Sequence, residues 1–497
     1  MIFAKTEQML RMTRDTSHFD HPAIVWFRND LRIRDNEALV AASQHSCVVP
    51  VFIRETGTQA RVCGGARNWW LHHSLASLSR DLEELGAPLF LLSGDSPALI
   101  DKLVESTGAS AVYWNRRYDP ACLGSDATLK ADLQDKGLIA ESFAGQLLHE
   151  PTRLRTGSGT HYKVYSPFWR ALEPDVENRP PLDSPESLTP AGKISRLESE
   201  TLNSWNLVPT RPDWSGGLAD TWTPGEAGAR ERLTDFIEDR MPGYSEGRDI
   251  PGISATSGLS PHLACGEITP AQIFEALKVS DTDAAPADRT KFRKEIGWRE
   301  FAWHLFANEP SLAEKNHNPK FDAFPWRTDS KSLSAWQKGL TGYPIVDAGM
   351  RQLWQTGWMH NRVRMVVASF LTKHLLIDWR IGEDWFWDTL VDADPASNAA
   401  SWQWVAGSGA DAAPYFRIFN PVLQGERFDP DGDYVRKFVP ELADMPKKFI
   451  HQPWSAPDKV LETAGVRLGE TYPHPIVDHK LARDRALDAY KQIKEAA

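Results

Sequence analysis

The four cysteines, Cys47, Cys63, Cys122 and Cys265, stand far apart, with no Cys-x-x-Cys pair and no Cys/His cluster. That spacing excludes a disulfide framework, a zinc site and an iron-sulfur site, and it fits a reducing compartment. No early apolar run is longer than VVPVFI, far short of the ~20 residues that span a bilayer, and the first twenty residues lack the apolar centre of a secretion signal. The expectation is a soluble, cytoplasmic protein. No G-x-G-x-x-G follows a β-rich run, which removes the phosphate-binding fingerprint of a dinucleotide fold, and no stretch of ~20–50 residues repeats, which removes a solenoid. Positive charge is also scarce: 56 Lys and Arg against 67 Asp and Glu leave a net charge of -11. Unsteered polyanion binding needs a positive field, so any contact with phosphate must rest on a local basic patch.

Tryptophan, by contrast, is abundant, with 20 in 497 residues. It suits packing, π-stacking, cofactor pockets and electron transfer. The length exceeds one ordinary core and points to two domains. Between residues 23 and 143 the β-rich runs AIVWF, CVVPVFI, PLFLLSG, AVYWN and LIAESF alternate with helical stretches such as NWWLHHSLASLSRDLEELG. Alternation of this kind predicts βαβ units, a parallel sheet and a Rossmann-like α/β domain over 21–150, after an extension at 1–20. Between 174 and 224 eight prolines gather with Ser, Gly and Thr, so 151–225 reads as a long connector over the surface. From 226 to 497 the periodicity is helical, as in AGARERLTDFIEDRM, PAQIFEALKV and RVRMVVASFLTKHLL, which predicts an all-α domain.

Chemistry gathers in four places. In ISATSGLSPHLACGEITP, residues 253–270, Ser260 before Pro261 is expected to cap a helix, with Thr256, Ser257 and Gly258 crowding hydroxyls and backbone N–H groups before it. Such a start binds phosphate, and the same residues also serve an ordinary capped helix. In RTKFRKEIGWREFAWHLF, residues 289–306, Glu295, Trp298 and Arg299 fall at i, i+3 and i+4, so an acid, an aromatic plate and a cation share one helical face amid Arg289, Lys291, Arg293 and Lys294. The pattern suits nucleic acid or a solvated helix. In DADPASNAASWQWVAG, residues 392–407, small residues surround two acids, and Asn398 and Trp402 share a helical face, fitting either a flat ring or a close helix contact. In WMHNRVRM, residues 358–365, Asn361 and Met365 share a face beside Arg364 and form a semi-polar stripe ahead of an apolar helix.

Together these stretches resemble the photolyase/cryptochrome family. The resemblance runs from IVWFRNDLRIRDNEAL (24–39) through TGYPIVDAGMRQL, WMHNRVRM, ASNAASWQW and DAAPYFRIFNP to YPHPIVDHKLARDRALDAY (472–490). It implies an α/β domain able to hold an antenna chromophore, a helical domain holding FAD above a DNA-binding face, and repair of damaged DNA. By position, Tyr244, Thr256, Ser257, Gly258, Leu259 and Ser260 match the stretch that holds the FAD phosphates and ribityl chain. Arg364 matches the cation that pairs with Asp392 beside the isoalloxazine, Asp394 the acid near the ring's polar edge, and Asn398 the residue facing N5. Glu295 and Trp298 match the acid and plate that receive an extruded pyrimidine dimer. Arg248, Arg299, Asn361, Arg362, Met365 and Gln424 match DNA or substrate contacts, and Trp402, Trp379 and Trp326 match a tryptophan relay to the flavin.

Subgroups of the family separate by residue chemistry. The (6-4) photolyases place His where Asn361 and Met365 stand, plant-type receptors carry Asp at the position of Asn398, the single-strand-preferring cryptochromes depart from Met at 365, and many receptors extend well past the helical domain. The resemblance therefore implies a cyclobutane pyrimidine dimer photolyase, nearest the class III group, with a blue-light receptor as the alternative. It implies no obligate protein partner and a monomer. The segment YWNRRYDPAC, 113–122, lacks the Asn-Glu pair that grips folate in better-known relatives, so methenyltetrahydrofolate, placed ahead of deazaflavin as the antenna, carries no assigned residues.

Overall fold

The computed structural model describes residues 19–56, 61–176, 179–192, 198–412 and 416–495. Most of the expected N-terminal extension, and residues 413–415 of the DAAPYFRIFNP motif, lie outside the described residues. Five strands, β1 (Ala23–Phe27), β2 (Val48–Glu55), β3 (Phe90–Gly94), β4 (Ala111–Asn115) and β5 (Ile139–Phe143), form one sheet in the order β3-β2-β1-β4-β5. Every pairing is parallel, with Val25 of β1 opposite Pro50 and Tyr113. AIVWF is buried at all five positions, the pattern of a central strand covered on both faces by crossover helices. One of these helices, Gly65–Glu84, carries the buried Trp69 and Trp70.

The connector does more than cross the surface. Leu188, Trp205, Leu207, Leu218 and Trp222 are buried in the same core as β1 and β2, and the helix Tyr165–Val176 within it buries Phe168, Trp169 and Leu172. Prolines interrupt hydrogen-bond ladders but leave neighbouring apolar side chains free to pack, so a segment that looks like a linker by composition became part of two cores. Beyond it the chain is helical. The helices that build the site are Ser260–Cys265, Pro286–Asn308, Asn361–Ser369, Trp379–Thr389 and Pro395–Ala406. Among the described residues no helix is long and apolar enough to cross a membrane, and no group of His, Cys, Asp and Glu is arranged to hold a metal ion.

The motif after β1 ties the sheet to the helices. Arg32 is fully buried and donates to the carbonyls of Asp35 (2.6 Å), Gly145 (2.7 Å) and Gly266 (2.9 Å), which belong to three separate chain segments. Thr269 donates to Asp35 (2.6 Å), and Trp70 donates to Glu267 (2.9 Å). Replacing Arg32 by Met keeps most of the volume but leaves three buried carbonyls without donors, each worth about 1–3 kcal/mol. Arg32→Met is expected to lower the unfolding free energy by roughly 3–5 kcal/mol, read as an earlier urea midpoint; a midpoint within error of the native one would remove the clamp.

Candidate functional site

The helices named above enclose a cavity of 600 Å³, within the range of about 300–1,000 Å³ that holds small molecules. Its walls bring together Tyr244, Ser257, Leu259, Ser260, Arg364, Asp392, Asp394, Asn398 and Trp402 with Arg248, Glu295, Trp298, Arg299, Asn361, Arg362 and Met365. Residues more than 150 positions apart in the chain thus share one chamber. Thr256, Gly258, Trp379, Trp326 and Gln424 are not on its wall. Gly258, at φ +65°, turns the chain so that Ser257 and Leu259 face the cavity. Trp379 is fully buried in the core that also contains Trp402, with half-buried Trp326 packed against that core. Gln424 lines an adjoining groove instead.

The floor is polar and largely self-satisfied. Asp394 caps the helix Pro395–Ala406, accepting from Ser397 N (2.7 Å) and, through its other oxygen, from Trp303 Nε1 (2.9 Å). Both of its oxygens are engaged by protein. Asn398 gives its amide hydrogens to Glu383, at the backbone carbonyl (3.1 Å) and Oε1 (2.7 Å), and Arg61 pairs with Glu383 in turn (2.7 Å). Asp392 accepts from Arg364 (2.8 Å) through Oδ2, while its Oδ1 is buried with no partner. An orphaned carboxylate oxygen beside a guanidinium is a place for a ligand N–H. The Ser257–Ser260 turn, the Arg364–Asp392 pair and the apolar wall of Phe301, Leu305 and Trp402 together fit a flavin nucleotide.

The outer wall differs from expectation at several points. Ser260 is the first helical residue rather than the cap, a position held by Leu259, and its hydroxyl accepts from Trp358 Nε1 (3.2 Å). Arg299, which stays on the chamber wall, donates to the carbonyls of Gln146 (3.1 Å) and Leu263 (3.3 Å), tying the end of the α/β domain to the helix Ser260–Cys265. Arg289, counted in the basic patch, donates to Leu277 O (2.6 Å) and Ser280 O (3.2 Å) and closes the end of the helix Pro270–Val279. Arg248 is buried and pairs with Glu295 (2.5 Å), which Lys291 also meets (3.2 Å). Arg362 pairs with Asp249 (2.8 Å).

Trp298 is 39% exposed and lies flat on Tyr165, with ring centroids 3.7 Å apart and planes 9° from parallel. Tyr165 also donates to Lys294 O (2.8 Å). A Cβ at Gly297 would sit 2.4 Å from the Trp169 ring, so glycine is what lets the two helices approach and the plates stack. Sequence reasoning missed Tyr165, Glu383 and Arg61. Tyr165 opens the aromatic stretch YSPFW, which was a readable signal, whereas Arg61 and Glu383 lie 322 residues apart and had none. The segment 113–122 is built around ion pairs of Arg116 with Glu150 (2.7 Å) and Arg117 with Asp126 (3.1 Å).

A five-stranded parallel sheet joined to a helical chamber with a polar floor and an apolar wall defines an architecture suited to a flavin nucleotide. Comparison with known proteins agrees: the family described as DNA photolyase matches residues 23–186, and its FAD-binding domain matches residues 292–492. The deoxyribodipyrimidine photo-lyase of Agrobacterium fabrum is 61% identical over 95% of this chain and 98% of that protein, and Cryptochrome-1 of Arabidopsis thaliana is 38% identical over 95% of this chain and 70% of that protein. The crystal structure of a bacterial class III photolyase from Agrobacterium tumefaciens superposes with a TM-score of 0.93 at 60% identity, covering 96% of this chain and 98% of that one. A Synechocystis cryptochrome gives a TM-score of 0.83 at 31% identity, over 94% of this chain and 99% of that one. The chain belongs to the photolyase/cryptochrome family.

His360 caps the helix Asn361–Ser369, its Nδ1 accepting from Arg362 N (3.2 Å), and burial pushes its imidazole down to about 4. In the unfolded chain the ring takes up a proton near ~6.5. The contribution of neutral His360 to stability is therefore complete above about pH 6.5 and is lost as the pH falls from there to about 4. His360→Asn keeps a capping acceptor without the titration. Its unfolding free energy is expected to vary less between pH 6.5 and 4, by up to roughly 3 kcal/mol; parallel curves for native and variant protein would refute the assignment.

Proposed function

We propose that this chain is a deoxyribodipyrimidine photo-lyase: it holds FAD in the cavity and uses light to split cyclobutane pyrimidine dimers in DNA. The observation that carries the reading is the Trp298–Tyr165 plate at the solvent edge of a chamber whose floor keeps one oxygen of Asp392 open beside Arg364. When bound and reduced, FAD supplies on excitation the electron that opens the cyclobutane ring, and receives it back. Arg364 and Asp392 would orient the ring system, Ser257 to Ser260 would meet the phosphate and ribityl chain, and Asn398, with its amide hydrogens tied to Glu383, would have its carbonyl oxygen left to face the ring. A dimer reaches this chamber only by leaving the duplex, and damage lowers the unstacking cost of a few kcal/mol. Trp298, backed by Tyr165, gives the extruded rings a stacking face. Glu295 lies between Arg248 and Lys291, so it accepts from a pyrimidine N–H, and the two cations favour negative charge developing on the substrate. Asn361, Arg362 and Met365 complete the substrate wall.

The blue-light receptor reading is the weaker one. Its plant-type members carry an acid where Asn398 stands, and an amide has no comparable proton to give. We further assign the chain to the class III group, a folate antenna on the α/β half, with methenyltetrahydrofolate ahead of deazaflavin, and a monomeric, cytoplasmic enzyme with no obligate protein partner. Absorption of chromophore released from the purified protein tests the antenna.

The direct test is illumination of the purified protein with reductant and a dimer-containing oligonucleotide. Restoration of intact pyrimidines is expected, and its absence with FAD bound would overturn the reading. Trp298→Ala should weaken binding of the same oligonucleotide by about 1–3 kcal/mol, roughly 5- to 150-fold, with FAD content unchanged; equal affinity would remove Trp298 from the site.

Trp402 packs against Phe386 at 5.0 Å and Trp336 at 6.3 Å between the chamber and the core that holds Trp379. Trp402→Phe keeps an aromatic ring but is far harder to oxidise. Light-driven reduction of the bound flavin should collapse, while protein reduced chemically in the dark should repair dimers at near-native yield. Loss of repair by the pre-reduced variant would give Trp402 a substrate-side role instead.

A further inference from the structure

Trp379 is fully buried, and its Nε1 donates to the side-chain oxygen of Asn316 (2.9 Å). Asn316 is itself buried, and its Nδ2 donates in turn to the exposed carboxylate of Asp322 (2.7 Å). An indole N–H only donates and a carboxylate only accepts, so the two partners together fix which way the amide is turned. Asp322 thus reaches Trp379 through one intervening amide. The charged groups at the face of the ring are closed on one another: Arg380, with its guanidinium 4.7 Å from the Trp379 centroid, pairs with Asp378 (3.1 Å) and donates to Glu314 O (2.6 Å).

The segment that carries Asn316 is anchored at each tryptophan of the proposed relay. Gln403, next to Trp402 in the helix Pro395–Ala406, is fully buried; it donates to Leu312 O (2.6 Å) and Lys315 O (2.9 Å) and accepts from His317 N (2.8 Å). Asn316 stands between Lys315 and His317, so its place on Trp379 is set from the helix that carries Trp402. Beyond Asp322 the same segment runs to Trp326, whose ring centroid lies 4.4 Å from that of Phe324. The next residue, Arg327, donates its backbone N–H to Leu376 O (2.7 Å), just ahead of Trp379 in the chain.

Taking an electron from a neutral indole leaves a positive ring whose N–H is a far stronger donor. In a dry core that charge has no water to stabilise it, and a hydrogen bond made by an ionised group is roughly twice as strong as a neutral one. An amide oxygen accepts such a bond but is too weak a base to take the proton. We propose that Asn316, polarised by Asp322, is a positioning residue of the tryptophan relay: it stabilises the electron vacancy on buried Trp379 while keeping the Nε1 proton on the ring, so that the vacancy moves on to Trp326. The proposal rests on the relay within the photolyase reading above. In the step itself one electron passes from Trp379 to oxidised Trp402 and is replaced from Trp326, and no bond breaks. A carboxylate or imidazole in direct contact with Nε1 would take the proton and trap an uncharged radical there.

The experiment stops the relay at Trp379 and reads that ring. In FAD-bound protein carrying Trp326→Phe, Trp379 is the last tryptophan of the relay to be oxidised after a flash, and transient absorption distinguishes its cation radical from the uncharged one. With Asn316 in place the cation form is expected. Adding Asn316→Leu, which keeps the volume but not the acceptor, is expected to shorten the lifetime of the oxidised tryptophan about tenfold, because losing a hydrogen bond to a charged group shifts such an equilibrium roughly 10- to 100-fold and returns the vacancy to Trp402. Asp322→Asn keeps the hydrogen bond at an exposed position and removes only the charge, so it tests the same path in an undisturbed fold; a shortening of roughly two- to fivefold is expected. With Trp326 restored, both variants should repair a dimer-containing oligonucleotide at the native level after chemical reduction in the dark, which a general loosening of the fold would not allow. An unchanged lifetime in the folded variants, an uncharged Trp379 radical with Asn316 in place, or an equal loss of repair after dark reduction would overturn the proposal. Undiminished light-driven reduction of the flavin in Trp379→Phe would instead overturn the relay reading itself.

Discussion

One guanidinium sets the position of everything built above the sheet. Arg32 is buried and holds carbonyls from the loop after β1, from Gly145 after β5 and from Gly266 in the helical half. Around it Arg67 donates to Ala264 O (2.7 Å), and Trp70 donates to Glu267, which also meets His262 (2.5 Å). Gly266 is at φ +68°, and a Cβ there would sit 1.9 Å from Asn29 O, so the backbones touch where only glycine permits it. The contacts to Gly266, Ala264, Glu267 and His262 converge on residues 262–267, directly after the turn from Ser257 to Ser260 that lines the chamber. The sheet therefore acts on the chamber mechanically, by fixing the backbone that would meet a cofactor's phosphates.

The chamber's polar groups follow the same logic of prior engagement. Asp394, Asn398, Arg299 and Arg248 all have protein partners in place. What stays open includes one oxygen of Asp392, Nε of Arg248 and the stacking face of Trp298. Groups held this way need no reorganisation when charge develops nearby, which is where electrostatic catalysis gains most. The Arg61–Glu383–Asn398 chain makes the point at its clearest, because an arginine between β2 and the helix Gly65–Glu84 orients an amide on the chamber floor.

Charge is distributed against the average. The chain is acidic overall, yet the chamber rim and the adjoining groove carry cations that are partly balanced by Glu295 and Asp249. Those acids do two things at once: they hold the arginines in defined rotamers, and they lower unspecific attraction to undamaged polyanions.

Much of this was readable from the residues. The alternation of β-rich and helical runs was enough for the parallel sheet, because buried central strands need continuous apolar runs. Period 3.6 was enough to put Glu295 with Trp298, and Asn398 with Trp402, on shared faces. Long motifs with specific chemistry were enough to mark the family and most of the chamber wall. Tertiary structure alone decided which of those side chains keep an open hydrogen-bonding atom. Arg299 and Arg289 look like free cations by spacing, but carbonyls from other segments accept from them; Ser260 looks like a cap, but Leu259 holds that place and Trp358 takes the hydroxyl. The connector looked like surface chain, yet its tryptophans complete the core under the sheet. Local periodicity determines the face on which a side chain emerges, whereas its partner is set by segments hundreds of residues away, and only the packed fold brings those within hydrogen-bonding distance.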